Sequence, residues 1–153
     1  MMKNILVLGW ALTTAITANN AHAQDGMIVV ESPMSVAETV NKLETILKSK
    51  GMTVFGRVNH GEGAKKVDLD LRATEVLIFG NPKAGTPLMN CSQSIAIDLP
   101  QKMLAWEDES GKVFLGYNVR KYLQSRHDSE ACDKVFESVA AALGNFAKAA
   151  TSP

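Results

Sequence analysis

The chain has no excess of charge of either sign, and this argues against nucleic acid as a partner. Sixteen lysines and arginines balance sixteen aspartates and glutamates, and no long run of like charge occurs. A protein that binds nucleic acid needs clustered basic residues to neutralise phosphates. We therefore expect no nucleic-acid partner.

Familiar catalytic motifs are also lacking. The sequence contains no G-x-S-x-G, H-E-x-x-H or C-x-x-C motif, so it lacks the signature motifs of serine hydrolases, zinc proteases and thioredoxins. Glu75 and Asp98 are scattered carboxylates without a visible partner, as surface or capping groups usually are. We expect a binding or accessory module rather than an enzyme.

Long apolar runs are confined to the first residues, which have the three parts of a secretory signal peptide. A lysine precedes an apolar run over residues 5–16, and Ala21-His22-Ala23 forms an A-x-A cleavage site. The run is shorter than the ~20 residues that span a bilayer. We expect a signal peptide over 1–23, a periplasmic or secreted protein beginning at Gln24, and one domain over 24–153 with no membrane span. An uncleaved N-terminal anchor is the alternative.

Helix signals mark both halves of the chain. Ser35 and Glu38 form an S-x-x-E capping box at a helix start, and Gly51 supplies the left-handed stop. A closing helix follows from the amphipathic spacing of Cys132, Val135, Phe136, Val139, Ala140, Leu143, Phe146 and Ala147, after which we expect the end to fray.

Strand signals and two short helices lie between them. Strand patterns cover residues 27–31, 52–60, 74–79, 101–107 and 112–117, the last two joined as a hairpin. We expect Asn81-Pro82 to end a strand, Thr86-Pro87 to start a short helix, and Asn118 to cap another. Strands and helices in this order predict an α+β fold, one antiparallel sheet covered by helices.

The two cysteines, Cys91 and Cys132, allow three interpretations. A disulfide is the leading one, because an even number of cysteines in an exported protein is normally paired. Two buried free thiols are the second. The third is a metal or haem site, in which Cys91, Met89, His60 and His127 would supply soft and imidazole ligands for haem iron, copper or zinc.

A ligand site is predicted where His60 ends its strand and residues 79–91 form a Gly/Pro-rich turn. We expect His60, Asn81, Met89 and Cys91 to converge at one end of the sheet, where loops and helix starts expose unpaired amides. The alternative for His60 is a hydrogen-bonded core histidine, because it continues the strand's parity. His127 is expected at a surface helix end and to matter less.

Taken together, the order of motifs resembles the DUF302 family, a domain of unknown function. The matching pieces are residues 51–55 with His60, 71–75, 79–82 with 85–89, 98–100, 106–108, and 117–118 leading to His127. The resemblance implies a β-α-β-β-β-β-α domain of about five strands with the topology of the TATA-binding protein, often a homodimer.

The resemblance implies no activity, since a fold does not determine function. We expect a module that binds a small ligand or a redox cofactor. The alternatives are a cofactor-dependent periplasmic enzyme and a structural stress protein that acts through protein contacts.

Overall fold

The computed structural model describes residues 21–24 and 26–153. Six strands form one antiparallel sheet in the order β1-β2-β6-β5-β4-β3. The strands are Ala21–Gln24 (β1), Met27–Ser32 (β2), Thr53–Asn59 (β3), Thr74–Gly80 (β4), Gln101–Glu107 (β5) and Val113–Asn118 (β6). The helices are Val36–Ser49 (α1), His60–Lys65 (α2), Pro82–Cys91 (α3), Arg120–Arg126 (α4) and Asp133–Thr151 (α5), with 3₁₀ turns at Gln93–Ile97 (η1) and Glu130–Cys132 (η2).

The α+β architecture predicted from the sequence is confirmed, and β2 to β6 are the expected five strands. Most of the predicted signal peptide, residues 1–20, lies outside the described residues. The backbone of β1 pairs with β2. Within the described part of the chain, no helix combines the length and apolarity needed to cross a membrane.

The main core lies between the sheet and the pair of helices α1 and α5. Side chains alternate between the two faces along each strand. The face toward these helices carries Leu77 and Phe79 of β4, Met103 of β5 and Leu115 of β6. Leu43 of α1 meets them, and all five are fully buried. This covered face holds the fold together, because apolar burial is the dominant favourable term in folding.

The start of α1 is the capping box expected from the sequence. Ser35 Oγ accepts a hydrogen bond from the Glu38 amide at 3.3 Å, and the Glu38 carboxylate accepts one from the Ser35 amide at 3.0 Å. The hydrogen bonds from Ser35 lower the pKa of Glu38. Gly51, with φ at +72°, follows the helix as predicted.

Two predicted helix starts are wrong. α3 begins at Pro82 rather than at Thr86, because Asn81 caps it and Pro82 suits the first helical position. Pro87 therefore lies inside the helix. Asn118 is not the cap of α4, since its backbone extends β6 opposite Met27.

Two further expectations near helix ends are corrected. His60 starts a short helix, α2, and is exposed, so the alternative of a core histidine is wrong. The expected fraying beyond Ala147 is also wrong, because α5 runs to Thr151 and both Ala150 and Thr151 are buried. α5 packs against α1, and the Ser152 carbonyl at its end accepts a hydrogen bond from Lys42 Nζ of α1.

The other face of the sheet carries a patch of apolar side chains, which we call the outer patch: Val76, Ile78, Leu104, Trp106 and Phe114, all partly exposed. The rings of Trp106 and Phe114 lie 5.6 Å apart at their centroids. Gly116 is required beneath them, because a Cβ there would come within 2.9 Å of the Trp106 ring. The outer patch is a surface on which another protein surface could pack.

Candidate functional site

A groove of about 790 Å³ lies between α3 and α5, at the end of β4. Its buried lining consists of the apolar Phe79, Leu88 and Leu143 and the polar Gln101. Other apolar side chains complete its walls: Met52, Phe55, Met89, Leu99, Pro100, Val135, Val139, Ala142 and Phe146. Ligand sites in proteins are commonly cavities of about 300–1,000 Å³ with mainly apolar walls, and this groove falls in that range.

Asn81 fixes the angle at which the chain leaves β4 and enters α3. Its Oδ1 accepts a hydrogen bond from the Lys83 amide at 2.9 Å, and its Nδ2 donates to the Gly51 carbonyl at 3.2 Å. Gly80 precedes it in a crowded position, where a Cβ would lie 3.3 Å from the Phe55 ring. The sequence Gly-Asn-Pro thus holds α3 over the end of the sheet and leaves the groove beneath it.

A disulfide joins the two elements that border the groove. Cys91 at the end of α3 is bonded to Cys132, immediately before α5, with Cα atoms 6.1 Å apart. Beside it lies a small second cluster of buried apolar residues, here called the satellite core: Leu88, Ile95, Leu123 and Phe136. The disulfide and the satellite core together hold α3 against α5.

The charged residues that line the groove are both basic. Lys83 lies at the start of α3 and Lys134 near the start of α5, and both are exposed. The lining contains no aspartate or glutamate. A cavity with apolar walls and positive charge at its rim favours a ligand that has an apolar body and an anionic end.

The structure brings together only some of the predicted site residues. Asn81 and Met89 line the groove, whereas Cys91, two residues after Met89, lies outside the lining and forms the disulfide. His60 lies at the opposite end of the sheet, because β3 and β4 are antiparallel and Asn59 pairs with Glu75. Thr53 pairs with Gly80 at the groove end. Six residues of strand, ~20 Å, therefore separate His60 from the groove.

The predicted haem or copper ligands are not gathered at one place. Cys91 is oxidised to a disulfide and has no thiolate to offer, and His60 lies far from Met89. Among the described residues, no group of three or more histidines, cysteines, aspartates or glutamates is placed to hold a metal ion.

One polar cluster was missed by the sequence reasoning. His127 is buried rather than on a surface helix end, and its two ring nitrogens contact Ser94 Oγ at 2.9 Å and Asp98 Oδ2 at 2.6 Å. Asp98 was expected to be an isolated carboxylate, but its Oδ1 also accepts a hydrogen bond from Arg126 Nη1 at 3.2 Å. No local signal could reveal this cluster, since His127 follows Asp98 by 29 residues.

Glu75 likewise has a partner that the sequence did not show. It is 3% exposed beneath α1 and accepts a hydrogen bond from Arg57 Nε. Arg57 Nη1 also donates to Asn41 Oδ1 at 2.6 Å. The bond to Glu75 raises the pKa of Arg57, and the pair ties β3 to β4 and α1.

The profile of the family described as "Domain of unknown function DUF302" matches residues 28–146. The chain is also similar to the crystal structure of an uncharacterized conserved DUF302 protein from Bacillus stearothermophilus, with a TM-score of 0.74 and 19% sequence identity. That similarity covers 83% of this chain and 99% of the other, and it concerns the fold alone.

Two curated relatives resemble the chain more closely in sequence. They are named "Fluoride-specific ion channel FluC 1", one from Brucella suis and one from Brucella abortus, and each is 52% identical over 102 residues. The match covers 67% of this chain but only 40% and 38% of those proteins. The chain thus spans about two fifths of the curated relatives it matches.

Proposed function

This chain belongs to the DUF302 family, and because that family has no assigned function we propose one from the groove: a binding module for an apolar molecule with an anionic end. A medium- or long-chain fatty acid is the chemical class that fits. The observation that supports this is the groove of about 790 Å³, whose lining is mainly apolar and whose charged lining residues are Lys83 and Lys134.

The expected affinity is moderate. Burying ten methylene groups of an acyl chain gives ~8 kcal/mol, at about 0.8 kcal/mol for each. Association costs at least about 4 kcal/mol in lost freedom of motion. The remainder, with the attraction of the lysines, corresponds to a dissociation constant in the micromolar to millimolar range. We therefore expect reversible binding, as in a carrier or a sensor.

The first experiment tests the groove by placing a bulky side chain in it. Dodecanoate binding would be measured by calorimetry for the wild type, Ala142→Phe and Ala141→Phe. Ala142 lines the groove, whereas Ala141 is its exposed neighbour on α5. We expect Ala142→Phe to weaken binding at least tenfold and Ala141→Phe to leave it unchanged. Equal affinity in all three proteins would refute the groove as the site.

A second experiment tests the anionic end of the ligand. Lys134→Glu reverses a charge at the groove, and Lys148→Glu reverses an exposed charge farther along the same helix. We expect Lys134→Glu to weaken dodecanoate about three- to tenfold and to leave dodecanol unaffected, with no effect of Lys148→Glu on either. A loss of both ligands in Lys134→Glu would mean that the lysine acts through packing.

We also propose that a second copy of the chain packs on the outer patch. The support is the row of partly exposed apolar side chains across β4, β5 and β6, which one copy can present to the same row on another by two-fold symmetry. The family resemblance implies a domain that is often a homodimer, which agrees with the proposed dimer.

Light scattering after size exclusion tests the dimer. Trp106→Arg places a charge in the outer patch and should give monomers. Leu69→Arg alters a residue that is 63% exposed in a loop and should leave the dimer intact. A wild-type protein that is monomeric at 100 micromolar would contradict the proposal.

The Brucella relatives support an accessory role. A segment 52% identical to this chain forms part of longer polypeptides there, so a homologous domain works beside other protein sequence. We make no proposal of fluoride conduction for this chain, because the name belongs to proteins of which it spans about two fifths.

Export to the periplasm or the medium is also proposed. The A-x-A site at Ala21-His22-Ala23 and the Cys91–Cys132 disulfide support it, because disulfides persist in oxidising compartments.

A further inference from the structure

Ser94, His127 and Asp98 form a continuous hydrogen-bonded line at the edge of the satellite core, here called the Ser94 cluster. Ser94 Oγ lies 2.9 Å from His127 Nδ1, and Asp98 Oδ2 lies 2.6 Å from His127 Nε2. The side chain of His127 is only 4% exposed, whereas Ser94 is exposed. The cluster thus joins a solvent-accessible hydroxyl to a sheltered imidazole, and none of its members lines the groove.

The chemistry of the groups fixes the direction of each hydrogen bond. An ionised carboxylate can only accept, so a neutral His127 carries its proton on Nε2 and donates it to Asp98. Nδ1 then has a free lone pair, and Ser94 must donate its hydroxyl proton to it. Arg126 Nη1 holds the other Asp98 oxygen at 3.2 Å and keeps the carboxylate oriented. These roles are those of a nucleophile, a base and a group that orients the base.

We propose that Ser94 is a nucleophile toward carboxylic esters, with His127 as its general base and Asp98 as a positioning residue. Ser94 Oγ attacks the carbonyl carbon while its proton moves to His127 Nδ1. The bond to the leaving alcohol breaks, and the alcohol takes that proton from His127. Water, activated by the same nitrogen, then releases the acid and restores Ser94. The net reaction is ester plus water to acid plus alcohol.

Two neighbouring features support this assignment. Ser92 Oγ lies 3.0 Å from Ser94 Oγ, and because Ser94 gives its own proton to His127, the Ser92 hydroxyl is the donor of this pair; a hydrogen-bond donor thus stands beside the atom that attacks. Ile97 is 72% exposed on the same turn, and the Tyr122 hydroxyl lies 3.2 Å from Arg126 Nη1. An ester with a short apolar acyl group could rest on these side chains, so p-nitrophenyl butyrate is a suitable substrate.

The experiment labels the exported, oxidised protein with a fluorophosphonate and detects the adduct by intact-protein and peptide mass spectrometry. We expect one adduct, on Ser94. Ser94→Ala should remove it, and Ser49→Ala, which alters another exposed serine, should not. Hydrolysis of p-nitrophenyl butyrate should be lost in the same variant.

If the Ser94 cluster only held the fold together, substitution of His127 or Asp98 would not change the rate at which Ser94 is labelled. His127→Ala should slow labelling at least 100-fold, within the ~10²–10⁴ range of general-base catalysis, and added imidazole should restore part of the rate. Asp98→Asn keeps the shape of the side chain and should slow labelling at least tenfold in protein that melts like the wild type. The proposal fails if wild-type Ser94 is unlabelled when a known serine esterase is fully labelled. It also fails if Ser94 reacts equally fast in folded Asp98→Asn.

Discussion

Reduction of the Cys91–Cys132 disulfide should destabilise the protein by about 4 kcal/mol. The two residues are 41 positions apart, and a bond across a loop of this length removes about 13 cal/mol/K of entropy from the unfolded chain in the chain-entropy model. At 25 °C this amounts to ~4 kcal/mol. That is a large share of the 5–15 kcal/mol typical of a domain. The folded sheet should survive, because the fifteen buried residues of the main core do not include either cysteine.

Guanidinium unfolding with and without a phosphine reductant measures this difference. The matched control is the Cys91→Ala, Cys132→Ala double variant, whose midpoint should equal that of the reduced wild type and should not respond to reductant. A wild-type shift below ~1 kcal/mol would refute the entropy argument. Two titratable thiols in the unreduced, unfolded protein would refute the bond itself.

Ser35→Ala removes the cap of α1 and should lower the free energy of unfolding by about 1 kcal/mol, measured by urea denaturation; no change would place the helix start elsewhere. Burial raises the pKa of Tyr117, so the unfolded state releases that proton first and stability should fall as pH rises above about 10; Tyr117→Phe should flatten this fall. Arg57→Ala leaves a buried carboxylate without its partner and should cost about 3 kcal/mol, the low end of the range because Arg57 is 31% exposed, whereas Lys112→Ala breaks an exposed pair with Glu31 and should cost at most ~1 kcal/mol. Mass spectrometry of the periplasmic fraction should find the N-terminus at Gln24, and full-length protein in the membrane would contradict export.

The fold could be predicted where its signals are local. The capping box needs only Ser35 and Glu38, three residues apart, and the stripe of α5 repeats within a single helix. The start of α3 was misplaced because the sequence offers two similar starts in a row, Asn81-Pro82 and Thr86-Pro87. Either pair can start a helix, and the hydrogen bond from Asn81 to the distant Gly51 carbonyl favours the first.

The lining of the groove was predicted only in part, because its geometry depends on long-range pairing. Asn81 and Met89 were identified from a loop that interrupts a strand, and both line the groove. His60 was placed with them, but whether two strand ends meet depends on the antiparallel register of β3 and β4. The contact of His127 with Asp98 joins separate turns and leaves no periodic trace in the sequence.

The satellite core makes the groove and the Ser94 cluster parts of one locally unfolding unit. Its members Leu88, Ile95 and Leu123 come from α3, η1 and α4, the elements that carry one wall of the groove and flank Ser94 and His127. Four buried residues resist opening far less than the main core does, so this unit should exchange its amide hydrogens earlier than the strands. A destabilising substitution there should therefore weaken dodecanoate binding and slow labelling of Ser94 together, while the circular dichroism of the sheet stays native.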